Sequence, residues 1–314
     1  YNRRADGKLF QDGDMFVTSD VRGGLQSHGE QQSLMYVNAL YGDPYIQTEL
    51  NRLWQYKSQR ILEVVEGFLL WSDVEPKPYA GNLPQWFYMP SPRGEMIAMT
   101  DWYDVDAPGV VSGARGVDLD SDALMVSMKI GERYFSNHNH ADAGSFELYY
   151  KGTLAAEAGV YESASSMGPY GTAGDHGWTK STISKNAMLI FDKDLYQKFD
   201  PIDGGPGFYF DRYYNLNWRN PGNHGGQRMP DGGNVAQNMI LDEDGTVIPQ
   251  YKFNDGTDPG YPSEQGWYSG KVISHGVQGG GAGGDPEYVY LKGDLAPLYT
   301  YRTEAYNRSF LFLN

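Results

Sequence analysis

The chain has 314 residues, 14% of them aromatic, with 25 tyrosines, 40 glycines and 17 prolines but no cysteine. That length allows one large β domain or two domains, the tyrosine- and turn-rich composition suits short strands better than a helical bundle, and the absence of cysteine excludes disulfides and thiolate chemistry. A net charge of −15 argues against nucleic acid, which needs a basic footprint, and no apolar run approaches the roughly 20 residues that span a bilayer.

The N-terminal stretch is patterned for helices. "HGEQQSLMYVNALYG" (28–42) closes on Gly42, a good C-terminal cap. In "DPYIQTELNRLWQYKSQ" (43–59), Asp43 is a natural N-cap and Pro44 takes the first helical position. Ile46, Leu50, Leu53 and Trp54 then recur at helical spacing. "RILEVVEGFLLW" (60–71) is a third candidate. Helices with so little else to pack on predict the tail of a larger helical domain, and a chain starting at Tyr1 reads as a fragment or a processed chain.

From about residue 90 the period changes to two. "GEMIAMTDW", "ALMVSMKIG", "SFELYYKG", "NAMLIFD", "EYVYLKGD" and "RSFLFLN" are short β-rich runs separated by turn residues. In the third, Phe146, Leu148 and Tyr150 are expected on one side, with Glu147 and Tyr149 on the other. Runs of strands without intervening helical patterns predict stacked antiparallel sheets. The glycine-rich stretches between 200 and 285 read as long loops on one rim, and "DEDG" (242–245) as a hairpin turn. "DLDSD" (118–122) starts like a calcium loop, but Ala123 replaces the turn glycine and Lys129 stands where the closing Glu belongs, so it reads as a solvated acidic turn.

Two of the six histidines fall in "NHNHADAGSFELYYKG" (137–152). At i and i+2 on an extended segment, His138 and His140 point to the same side. They suit a metal pair, a ligand beside an acid/base group, or polar decoration of a loop. Asp142 and Glu157 are the nearby carboxylates. If the chain turns back at Lys151-Gly152, Glu157 returns to the level of His140. Its small-residue context predicts burial, so it must meet a metal, His or Lys cation. A zinc site on His140, Glu157 and one further ligand, or a salt bridge without metal, both satisfy that demand. "GPYGTAGDHGWTKSTISKN" (168–186) supplies Tyr170, His176, Trp178, Lys180 and Lys185. These are flat faces and ammonium groups of the kind a charged sugar needs, or the furniture of a surface loop.

"NHNHADAGSFELYYKGTLAAEAGVY" resembles the core signature of the heparinase II/III-like polysaccharide lyases, an H-x-H-x-D-A-G-S-F strand followed by an acidic residue among small ones. "YNRRADGKLFQDGD" (1–14), "NHGGQRMP" (223–230) and "KGDLAPLYTYR" (292–302) resemble further segments of that family. "TISKNAMLIFD" (182–192) is similar to its T-I-x-H-N strand, with Lys185 in place of the histidine.

The resemblance implies a mainly β fold, a multi-layer antiparallel β-sandwich (supersandwich) preceded by the last helices of an (α/α) toroid. Residues 1–85 would be those helices and 86–314 the sandwich, truncated at its C-terminal end. It implies β-elimination on a uronic-acid glycosaminoglycan of the heparin or heparan sulfate type. The alternatives are alginate or another polyuronate, and a non-catalytic carbohydrate-binding sandwich. His138 and Tyr170 take the catalytic positions. Arg3, Arg4, His176, Trp178 and Lys180 are candidate substrate contacts. His140 and Glu157 take metal-ligand positions for one structural zinc, with Lys185 where the third ligand belongs and His176 as a substitute; a Lys185–Glu157 salt bridge in place of the metal is the competing expectation. The partners implied are an acidic polysaccharide, an upstream toroid that completes the cleft and a second copy as a homodimer, without nucleic acid or membrane. The implied location is the bacterial periplasm or the exterior.

Overall fold

The structure is a computed structural model. It describes Ala5, Phe10 and residues 28–56, 61–103, 109–111, 114–134, 140–157, 182–190, 226–227, 239–241, 247–249, 267–268, 270–279 and 284–314.

Three helices come first: α1 (His28–Tyr41), α2 (Pro44–Tyr56) and α3 (Ile61–Leu70). Gly42 ends α1 at a positive φ of 62°, and its N–H donates to the Asn38 carbonyl at 2.7 Å. Asp43 then caps α2, its Oδ1 accepting from the N–H groups of Tyr45 and Ile46 at 2.8 and 2.9 Å. Leu50 and Leu53 are buried as their spacing predicts. Asn38 donates to Gln47 between α1 and α2, and Gln32 to Glu66 between α1 and α3. Leu40 on α1 and Phe68 and Leu69 on α3 face outward, at 74%, 87% and 70% exposure.

The strands in chain order are β1 (Trp86–Met89), β2 (Glu95–Met99), β3 (Gly109–Val111), β4 (Ala114–Val117), β5 (Met125–Lys129), β6 (Arg133–Tyr134) and β7 (Phe146–Tyr149). They continue with β8 (Thr153–Ala155), β9 (Met239–Leu241), β10 (Val247–Pro249), β11 (Trp267–Tyr268), β12 (Lys271–Gly279), β13 (Pro286–Asp294) and β14 (Asn307–Leu313). A five-stranded sheet runs β1-β2-β5-β7-β8 and a three-stranded sheet β12-β13-β14, every pairing antiparallel. The remaining pairs are β3-β4, β6-β11 and β9-β10, and the turn expected at 242–245 lies outside the described residues.

The five-stranded sheet is covered on both faces. Met96, Ala98, Val126 and Met128 pack toward Val289, Leu291 and Phe312 of the second sheet, forming the interior of the sandwich. Ile97, Met99, Met125 and Tyr149 point the other way, into a second cluster with Phe10, Trp102 and Tyr103. Two-sided burial makes β2 a continuously buried strand, a departure from the period of two expected for this stretch. Each such side chain taken out of water contributes about 1.5–3 kcal/mol. The fold is mainly antiparallel sheets with few helices, as the sequence predicts.

Leu148 packs on the sandwich interior, Phe146 beside Phe310 lies on the same side, and Tyr149 on the other. Tyr150 falls just beyond the strand and is exposed. The run "NAMLIFD" departs from expectation. A 3-10 turn spans Thr182–Ser184, and 185–190 follows as irregular chain rather than a strand. Asn186 explains this, because its side chain donates to the Phe146 and Ala156 carbonyls at 2.8 and 3.2 Å. Its own carbonyl accepts from Arg308 Nη1 at 2.9 Å. The segment is thus tied across the ends of β7 and β14 by individual contacts instead of a ladder. The acidic turn at 118–122 lies on the surface, with Asp122 paired to Lys151 at 2.6 Å.

Candidate functional site

The site is built on the segment that leads into β7. Ser145 N–H donates to the Asp142 carbonyl at 2.9 Å, and Gly144 between them has φ of 76°. A positive φ at the third of four residues is the mark of a type II turn, which favours glycine there. Space demands glycine as well, since a Cβ at Gly144 would lie 2.3 Å from Leu295 Cδ1. This turn sets His140, Ala141 and Asp142 under the edge of the sandwich, all buried. The hairpin β7–β8 turns at Lys151-Gly152 as expected and brings Glu157 back toward His140.

Lys185 enters between them from the 3-10 turn. Its Nζ lies 2.7 Å from His140 Nδ1 and 2.9 Å from Glu157 Oε2, while those two atoms are 4.0 Å apart. The three side chains are sealed from solvent, at 0%, 0% and 2% exposure for Lys185, His140 and Glu157. An ammonium has only donors to offer, so Nδ1 of His140 accepts and the ring proton belongs on Nε2. Burial pushes the Glu157 carboxyl up to about 7 against the opposing pull of Lys185, with Asp142 adding to the rise and Lys129 countering it. Asp142, the other carboxylate candidate, pairs with Lys129 at 2.8 Å. The buried carboxylates therefore each meet an ammonium, which is the condition for keeping such charges out of water.

A zinc ion here would need bonds of about 2.0–2.2 Å to its nitrogen and oxygen donors. Nδ1 and Oε2 instead share the Lys185 ammonium at hydrogen-bond distance. Among the described residues, no three His, Cys, Asp or Glu side chains are grouped to hold a metal. The residues as placed do not fit the ion.

Gln227 and Thr182 fix the same segment from the other side. The Gln227 side chain accepts from Ala143 N–H at 3.1 Å and donates to the Ala143 carbonyl at 2.6 Å, pairing with that residue as a neighbouring strand would. Gln227 N–H donates to Thr182 Oγ1, which donates in turn to the Ala141 carbonyl, both at 2.9 Å. Gln227 also donates to the Tyr299 hydroxyl at 3.2 Å. Sequence reading places Gln227 in a family-like segment but gives it no role. A single glutamine has no period or spacing to announce a partner 84 residues away.

Of the residues singled out by sequence, the structure brings His140, Glu157 and Lys185 together. His138, Tyr170, His176, Trp178, Lys180, Arg3 and Arg4 lie outside the described residues.

Residues 117–248 match the family model described as Heparinase II/III-like, C-terminal. The matched span contains the His-x-His segment, Glu157, Lys185 and Gln227. No curated protein matches the chain significantly.

Proposed function

We propose, from the match of residues 117–248 to the heparinase II/III-like C-terminal model, that the protein is a polysaccharide lyase acting on uronic-acid glycosaminoglycans of the heparin and heparan sulfate class. In β-elimination a base removes the C5 proton of the uronate, which its carboxyl group acidifies. The electron pair left behind forms the C4–C5 double bond as the C4–O bond breaks. An acid then protonates the departing oxygen. Positioned proton-transfer groups and fixed charges that neutralise the uronate carboxylate are what speed such a step.

We assign proton handling to His138 and Tyr170. Arg3, Arg4 and Lys180 are the cations for carboxylate and sulfate, and His176 and Trp178 the stacking surface. The observation that carries the reading is the fixed frame that begins two residues after His138. His140 is held by Lys185, Ala141 by Thr182, Ala143 by Gln227, and the turn at Gly144 is closed by Ser145 on Asp142 and packed against Leu295. A rigid, buried frame beside a candidate proton-transfer residue is what such chemistry asks of a scaffold, and this supports the reading.

The exposed apolar residues of α1 and α3 support the view that these helices belong to a larger helical domain, which completes the cleft. That domain is also where we place the basic wall that a polyanion needs against a chain of net charge −15. Action on such polymers fits a periplasmic or exported protein.

The test is ultraviolet absorbance of the conjugated unsaturated uronate, with the full natural chain on heparin, heparan sulfate, chondroitin sulfate and alginate. Product from the heparin-type polymers, lost in His138→Ala with the melting curve unchanged, is the expected result. Product from alginate alone moves the substrate to plain polyuronates. Binding to any of these polymers without product reassigns the protein as a carbohydrate-binding sandwich.

A further inference from the structure

His140 Nδ1 and Glu157 Oε2 face one point from 4.0 Å apart, inside a region closed to solvent. Two metal bonds of about 2.1 Å at a tetrahedral angle set their donor atoms about 3.4 Å apart, so the pair is spread only slightly wider than a metal would hold it. The shared point is filled by Lys185 Nζ, 2.7 and 2.9 Å from the two atoms.

This cation is covalently tethered. It is carried by a 3-10 turn closed by Lys185 N–H to the Thr182 carbonyl at 3.0 Å, and Thr182 is itself bonded to Ala141 and Gln227. A metal ion competing for the same donors would have to expel an ammonium that cannot diffuse away and has no solvent to enter. The neighbouring carboxylate, Asp142, has its own ammonium in Lys129 and does not draw a second cation in.

We propose that Lys185 is a built-in cation that occupies the point where a metal would sit and makes this centre independent of metal, so that Lys185→His, which exchanges the ammonium for a neutral donor, tests it directly. The imidazole would supply a third donor in place of the ammonium, beside His140 and Glu157, completing a nitrogen- and oxygen-ligand set suited to zinc or cobalt(II). The inference does not depend on the lyase reading, because its readouts are metal content and melting rather than turnover.

The full natural chain is purified from zinc-supplemented medium and its metal content measured, with melting followed with and without chelator. The wild type is expected to hold no stoichiometric metal and to melt unchanged in chelator. Lys185→His is expected to bind one zinc per chain, to melt lower once chelator removes it, and to develop visible absorption with cobalt(II). That absorption should be lost on adding His140→Ala. Lys185→Met, which removes the cation without supplying a donor, should melt lower or fail to fold, and zinc should not rescue it. Stoichiometric zinc in the wild type that His140→Ala removes would overturn the proposal. So would Lys185→His taking up no metal, whether folded or not, and so would Lys185→Met melting as the wild type does.

Discussion

Lys185 Nζ donates to Glu157 Oε2 across 2.9 Å, with neither side chain reachable by solvent. Removing one member of such a pair leaves an uncompensated buried charge and typically costs about 3–5 kcal/mol, although replacing both by apolar groups can be neutral. Urea unfolding of Lys185→Met at neutral pH should therefore show a loss, held below that size because Glu157, released from the pull of Lys185, takes up a proton. Lys185→Met/Glu157→Leu should recover much of it, and a double variant no more stable than the single one would show that the pair is not coupled.

The position of the Glu157 carboxyl gives that pair a pH signature. Its usual value is 4.5, and burial lifts it to about 7 in the folded chain. Between those values the folded state holds the proton and the unfolded state releases it. Stability from this group is therefore fully present below pH 4.5 and is lost as pH rises to about 7, by at most about 3 kcal/mol. Unfolding free energies measured across that window should fall with rising pH in the wild type and fall less steeply in Glu157→Gln. An equal slope in both would assign the effect to other groups.

Gln227→Ala leaves the N–H and carbonyl of Ala143 without the partners that pair them now. Stranded buried backbone groups cost about 1–3 kcal/mol each, so a loss of about 2–4 kcal/mol is expected in chemical denaturation. Because the same contacts hold the frame following His138, turnover in the proposed lyase assay should fall by more than the unfolded fraction accounts for. Unchanged turnover per folded molecule would remove Gln227 from the positioning role.

Gly144→Ala places a methyl group at a φ of 76°, against Leu295. The left-handed backbone and the forced repacking together should cost about 2–4 kcal/mol. Leu295→Ala leaves a core cavity of its own, so the two causes are separated by a double-mutant cycle: Gly144→Ala should cost less in the Leu295→Ala background than in the wild type, and the cost that remains there is the backbone's.

Much of this was legible in the sequence wherever the cause is local. Gly42, Asp43 and Pro44 mark a helix end and the next helix start through contacts within four residues. Lys151-Gly152 marks the hairpin, and alternation marks its faces. The meeting of Glu157 with a cation followed from its expected burial, which obliges a carboxylate to find a partner. What was not legible depends on distant partners. Asp142 read only as a carboxylate near the histidine pair, and nothing in the sequence pointed to its partner, Lys129 on β5. The run from Asn186 has strand composition, yet its hydrogen bonds go to Phe146, Ala156 and Arg308. Gln227 became visible only once the fold had brought it to Ala143.

The most direct test of eliminative cleavage is the fate of solvent oxygen. The full natural chain is incubated with heparan sulfate in water enriched in heavy oxygen, and the fragments are weighed by mass spectrometry. Elimination adds no water, so the fragments should carry an unsaturated uronate, lighter by one water than a hydrolysis product, with no heavy oxygen introduced by the cleavage once exchange at the reducing ends is reversed. Saturated fragments that have taken up one heavy oxygen per cleavage would contradict the account.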